Sequence, residues 1–204
     1  MKTILLIILM LFIAVNALPA QYDKDLLYKN ISEKYKNPKS LILKFKLKEM
    51  NVNGTIHAAA GNKYILDLSD RIIVSNGETI WNYDKFKNSV MISTFESLSS
   101  ASLEKFFFEI LVKYYPVKVS KENSSNKRPA YLMLLEPAKP SDAIEGVKQI
   151  KLWASVKSLD IVSLAIISNS QTQTFDIEKI EINPKSLPSF SFTAPKDAKI
   201  IDLR

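Results

Sequence analysis

Residues 72–84 read Ile72-Ile73-Val74-Ser75-Asn76-Gly77-Glu78-Thr79-Ile80-Trp81-Asn82-Tyr83-Asp84, an apolar run and an aromatic run folded about Asn76-Gly77. Both turn residues tolerate positive φ, which a tight turn matching the twist of its strands requires, so the segment predicts a β-hairpin. Side chains alternate along a strand, and Trp81 and Tyr83 therefore share one face of the outgoing arm. A chain with this element near its middle is committed to antiparallel sheet. What the two-aromatic wall faces is the functional question.

The flanking sequence extends the sheet in both directions. In 41–48, Leu43, Phe45 and Leu47 alternate with Lys44, Lys46 and Lys48, the pattern of a half-buried strand with one wet face. Asn53-Gly54 predicts another turn, and 55–60, 63–68, 71–75, 79–84 and 89–95 follow as the short strands of a meander. Further strands are expected at 117–121, 130–136, 147–156, 161–168 and 172–182, with a short closing strand at 190–195 that ends on Pro195.

Two segments break the strand pattern. Residues 23–36 place Leu26, Leu27, Asn30, Ile31 and Tyr35 at helical spacing between charges, and Pro38 ends that helix. Residues 99–115 carry Leu103, Phe106, Phe107, Phe108, Ile110, Leu111, Tyr114 and Tyr115, more apolar than a surface helix needs, and Pro116 closes them. The fold expected is mainly β with an α-helical lid: an incomplete, unclosed antiparallel barrel, or curved sheet, whose helices cover an apolar cavity.

The chain begins Met1-Lys2-Thr3 and then runs without charge from Ile4 to Val15, with small residues around Ala17 and Ala20. One positive charge, an apolar core short for a bilayer and a small-residue cleavage region predict a secretory signal peptide at 1–20, leaving 21–204 as one domain. There is no cysteine. An exported chain without disulfides must be held by an ordinary hydrophobic core, and without a cysteine at the leader's end it cannot itself be acylated there. The net charge of +7 is spread along the length. It fits solubility, or an anionic surface, and carries no basic-aromatic motif for nucleic acid.

The composition excludes several chemistries. Four glycines, Gly54, Gly61, Gly77 and Gly146, cannot build a glycine-rich phosphate loop or a nucleophile elbow. The lone histidine, His57, sits in a plain strand with no cysteine partner for a metal and no distinctive nucleophile beside it. Asp and Glu are scattered without a motif. No enzyme, cofactor, catalytic residue or metal site is expected.

In its order of parts the chain resembles the outer-membrane lipoprotein carrier family, the LolA-type periplasmic chaperones. The resemblance rests on Val74-Ser75-Asn76-Gly77-Glu78-Thr79-Ile80-Trp81-Asn82-Tyr83-Asp84 and on the terminal Phe190-x-Phe192-Thr193-x-Pro195, with the leader, the opening helix, the Leu43-x-Phe45 strand and the mid-chain helix in sequence between and before them. It implies a soluble periplasmic carrier, a monomer, whose apolar cavity holds lipoprotein acyl chains on their way from the inner to the outer membrane. The partners implied are acylated lipoproteins, the inner-membrane ABC transporter that releases them and an outer-membrane acceptor lipoprotein. A different reading of the same half-barrel is a periplasmic module that senses lipids or lipoproteins.

At about 0.8 kcal/mol per buried CH₂, one acyl chain loses on the order of 10 kcal/mol on leaving a bilayer, so a carrier must offer an apolar container and still release its load. The residues expected to line it are Leu43, Phe45, Trp81, Tyr83, Phe106, Phe107, Ile110, Leu111, Ile150 and Leu152. The aromatic helix segment is the expected plug of the empty cavity, beside Leu27 and Ile31, or else ordinary core. The sequence departs from the family at one place: the Arg-Pro pair tied to lid closure has no counterpart in Ala58-Ala59-Ala60-Gly61-Asn62-Lys63, and Arg71 lies too far along to replace it by position.

Overall fold

The computed structural model describes residues 23–95, 103–144 and 146–204. The leader and positions 99–102 of the expected mid-chain helix lie outside the described residues.

Helix α1 (Lys24–Lys34) starts at Asp23, whose Oδ1 accepts from the backbone N–H of Asp25 at 3.1 Å and of Leu26 at 3.0 Å. One carboxylate thereby satisfies two of the donors a helix start leaves open. The buried stripe runs through Tyr28, Ile31 and the following Tyr35, whereas Leu26 is exposed. Leu27 is half-buried against the same core, and full burial starts at Tyr28. Its hydroxyl donates to the Leu111 carbonyl at 2.9 Å, and burial pushes the phenol well above its ordinary range.

Among the described residues twelve strands form one sheet: β1 (Ser40–Leu47), β2 (Val52–Ala59), β3 (Lys63–Leu68), β4 (Arg71–Asn76), β5 (Thr79–Asp84), β6 (Ser89–Thr94), β7 (Tyr114–Asn123), β8 (Pro129–Pro137), β9 (Val147–Ser155), β10 (Ile161–Ser168), β11 (Thr172–Ile182) and β12 (Lys199–Asp202). Their spatial order is β12-β6-β5-β4-β3-β2-β1-β11-β10-β9-β8-β7. All neighbours are antiparallel except β12, which runs parallel to β6. Strands β12 and β7 are edges that do not meet, so the barrel is unclosed. The seam between the two halves is β1 against β11, with Phe45 opposite Ile177 and Leu47 opposite Phe175.

One face of this sheet holds the main core. Leu41, Leu43, Phe45 and Leu47 of β1 point the same way as Ile56 and Ala58 of β2, Met133 and Leu135 of β8, Ile150 and Leu152 of β9, and Leu164 and Ile166 of β10. Tyr28, Ile31 and Tyr35 of α1 and the mid-chain helical segment pack onto this face. That segment comprises α2 (Leu103–Lys105), a π turn (Phe106–Ile110) and α3 (Leu111–Lys113). The π turn is marked by the Leu111 N–H reaching back to the Phe106 carbonyl, and it sets Phe106, Phe107, Ile110 and Leu111 together in the core. Phe107 meets Phe106 and Tyr35 edge-on, at ring separations of 5.2 and 5.8 Å.

Three expectations are corrected. Tyr114, Tyr115 and Pro116 belong to β7 rather than to the helix, since the chain is already paired with β8 there. Gly54 is inside β2, not in a turn, and its need is close approach: a Cβ there would lie 2.4 Å from the Phe45 ring and 2.7 Å from Leu68. In the central hairpin only Gly77 has positive φ, at 99°, with Asn76 still in β4. Asn76 contributes through its side chain instead, its Oδ1 accepting from the N–H groups of Glu78 and Thr79 at 3.0 and 2.8 Å.

The chain's end differs from expectation as well. Residues 190–195 pair in no ladder, and the closing strand is β12 further on. Among the described residues no helix is long and apolar enough to cross a membrane.

Candidate functional site

The described part of the helical segment covers only part of the core-bearing face. It seals the β7–β11 half, while over β1–β4 the sheet keeps an apolar cavity of about 420 Å³. Phe45, Ile56, Leu66, Ile73 and Phe175 form its floor. Their alignment follows from register: Phe45 lies opposite Gly54 and that in turn opposite Leu68, while Ile56, Leu66 and Ile73 form one cross-strand row. Gly54 has no side chain, and the Phe45 ring occupies the space above it. Leu103 and Lys105 of α2, with Phe95, close the cavity on the helical side.

A second cavity of about 360 Å³ adjoins it and shares Tyr64, Phe95 and Lys105 as walls. It continues past Phe108 to the polar chain ends at Asn37, Asn62, Lys63 and Glu109. The two together run from an apolar trough to a polar mouth. Each lies in the range of about 300–1,000 Å³ usual for ligand sites.

Two charged groups face the trough from its far side. Arg71 donates from Nε and Nη2 to Asp70 Oδ2 at 2.8 and 2.6 Å, and this contact holds the Asp70 carboxyl below its usual range. Both side chains line the cavity.

The expected site residues separate into three groups. Phe45 lines the trough. Leu43, Phe106, Phe107, Ile110, Leu111, Ile150 and Leu152 are sealed in the adjoining core, at 0–1% exposure, and border neither cavity. Trp81 and Tyr83 face the other side of the sheet. Ile73 pairs with Asn82, so Asn82 shares the cavity face and its neighbours Trp81 and Tyr83 point away, level with Val74 and Ile72.

That outer face has its own apolar patch. Val74 and Val90 are buried there, and the ring of Phe192 rests on Tyr83 at 5.9 Å. The two sequence signatures therefore meet each other as a strap and its seat, on the back of the cavity wall. A double-mutant cycle of Tyr83→Ala and Phe192→Ala, read by denaturant unfolding, is expected to give a coupling of about 0.5–1.5 kcal/mol and to leave binding in the cavity unchanged.

Several cavity residues lie outside the set expected from sequence: Tyr64, Leu66 and Leu68, Ile73, Phe95, and the charged Arg71 and Lys105. A signal for the first three exists, since Tyr64, Leu66 and Leu68 alternate in 63–68. For Ile73 it is the hairpin itself, whose two-residue loop sets it opposite Asn82 rather than Trp81.

No family model matches the sequence, and no match was found among curated proteins. The fold does match solved structures. An uncharacterized conserved protein from Thermus thermophilus superposes with a TM-score of 0.51 at 9% identity, covering 86% of this chain and 96% of that one. This shows a shared fold. More distant superpositions include LprF from Mycobacterium bovis (TM-score 0.44, 9% identity, 86% and 97% covered) and a LolA superfamily protein from Nitrosomonas europaea (TM-score 0.37, 8% identity, 82% and 96% covered).

Proposed function

We propose that this protein is a non-enzymatic carrier of the periplasm that takes acyl chains of lipoproteins into the trough over β1–β4 and moves them from the inner membrane toward an acceptor at the outer one. The observation that carries the reading is the apolar cavity itself, on the inner face of a sheet left open between β12 and β7. Among the described residues the trough leaves apolar side chains open to about 420 Å³ of space beside a core packed to near-zero exposure, and apolar surface of that kind gains by being covered. The resemblance of the hairpin and terminal motifs to LolA-type carriers supports the choice of cargo.

The sealed half of the same face suits the role. With Phe106, Phe107 and Ile110 already in the core, the helical segment is anchored on one side of the cavity; in this reading its α2 end, whose Leu103 and Lys105 border the trough, is the wall that yields to cargo. Cargo entering between α2 and β3 displaces that end without unpacking the aromatic cluster. Release is favoured because the wall returns onto Phe95 and Tyr64.

Mixing the purified protein with an acylated lipoprotein and with the same polypeptide lacking its acyl groups tests this directly. The acylated form is expected to elute as a soluble complex in size-exclusion chromatography without detergent, and the unacylated form to elute alone. Equal binding of both forms would reject acyl recognition.

A further inference from the structure

The trough is apolar along its floor but carries one cation at its waist. Lys105 borders both cavities, and its Nζ stands 5.7 Å from the centre of the Phe95 ring. Among the described residues it makes no ion pair with a carboxylate. The other charged groups of the walls differ. Arg71 is held by Asp70 at 2.6 Å, Glu109 is turned to Lys113 at 4.0 Å, and Lys63 lies exposed at the outer end of the mouth.

Among the described residues the arrangement is therefore an apolar floor that ends at a half-buried ammonium backed by an aromatic face and paired with no carboxylate. We infer that the cavity takes an amphiphile with an anionic head, its acyl chain on Phe45, Leu66 and Ile73 and its carboxylate or phosphate oxygens on Lys105 Nζ. The physical basis is the low polarity of the surroundings. An ammonium partly withdrawn from water gains more from an anion than an exposed one does, and an oxyanion seated at the waist completes a charge-assisted contact that the described residues leave unmade. The polar mouth beyond it, with Asn37 and Asn62, leaves room for the rest of a head group. This rests on the acyl-cavity reading for the apolar floor and goes beyond it in ligand class, since the ester- and amide-linked acyl groups of a lipoprotein carry no such anion.

Titration of the full protein with four probes tests it: palmitate, lysophosphatidic acid, hexadecanol as a neutral chain, and inorganic phosphate as a head without a chain. Palmitate or lysophosphatidic acid is expected to bind at least about tenfold more tightly than hexadecanol, in keeping with one hydrogen bond to a charged group. Lys105→Gln is expected to abolish that preference, read as the ratio of anionic-probe to hexadecanol affinity, and Lys105→Arg to restore it. A preference for one anionic probe over the other identifies the head as carboxylate or phosphate and supports the inference either way. Hexadecanol bound by the wild type as tightly as the anionic probes would overturn the inference and leave the acyl cavity standing. Displacement of palmitate by inorganic phosphate alone would overturn it too, by marking a site for a free anion. Failure of every chain-bearing probe would instead overturn the acyl-cavity reading on which it rests.

Discussion

A Leu66→Asp variant is expected to bind an acyl probe about 100-fold more weakly than the wild type while keeping its far-ultraviolet circular dichroism. Leu66 sits in the middle of the trough floor, with Ile56 and Ile73 as its cross-strand neighbours. It is only half-buried because its outer surface faces the cavity. In the empty protein a short carboxylate there can keep contact with water in the cavity, so the folding cost is moderate. When a chain enters, that carboxylate must give up its water with no partner to replace it, and about 2.7 kcal/mol of lost affinity corresponds to the 100-fold change. Ile65→Asp, one residue away but on the outer face, is expected to leave the affinity unchanged in the molecules that fold. The contrast between adjacent positions of one strand makes the result one of face rather than of general damage.

The second large effect is on stability. Phe107→Ala is expected to cost about 3–5 kcal/mol in denaturant unfolding, since it empties a fully enclosed aromatic site. Phe107 is 1% exposed and meets both Phe106 and Tyr35 edge-on, so the loss spans the contact between the helical segment and α1. Against a total of about 5–15 kcal/mol for a domain, this is a large fraction. The same substitution is expected to change acyl affinity by less than about threefold in the folded population, a difference under about 0.7 kcal/mol, because Phe107 borders neither cavity. A plug that left the cavity on binding would behave in the opposite way, with affinity rising as the plug was weakened.

The sheet is legible in the sequence because its cues are local. Alternation in 41–48 puts Leu43, Phe45 and Leu47 on the core face, and the bounds of β3, β5, β10 and β11 follow directly from apolar runs between turn residues. The open barrel with its helical cover is legible too, since the helical segments are too few to cover both faces. The site is less so. Periodicity says that Trp81 and Tyr83 share a face, but which face is set by the register of β4 against β3, a tertiary fact. Likewise, alternation cannot separate a residue that seals the core, such as Ile150, from one that borders an open space, such as Leu66, because both are apolar and point the same way. That distinction depends on where the helical segment stops along the sheet. The π turn decides which side chains of the segment enter the core, and it leaves no pattern in the sequence.

Photo-crosslinking locates the bound chain residue by residue. A palmitate analogue bearing a diazirine near its terminal methyl, irradiated in complex with the protein and mapped to single residues by tandem mass spectrometry, reads which face of β3 and β4 holds the chain. Labelling of Leu66, Leu68 and Ile73, with Phe45 opposite, is the expected result. Labelling of Ile65, Val74, Trp81 and Tyr83 would place the chain beneath the strap on the outer face and rule out the trough as the acyl site.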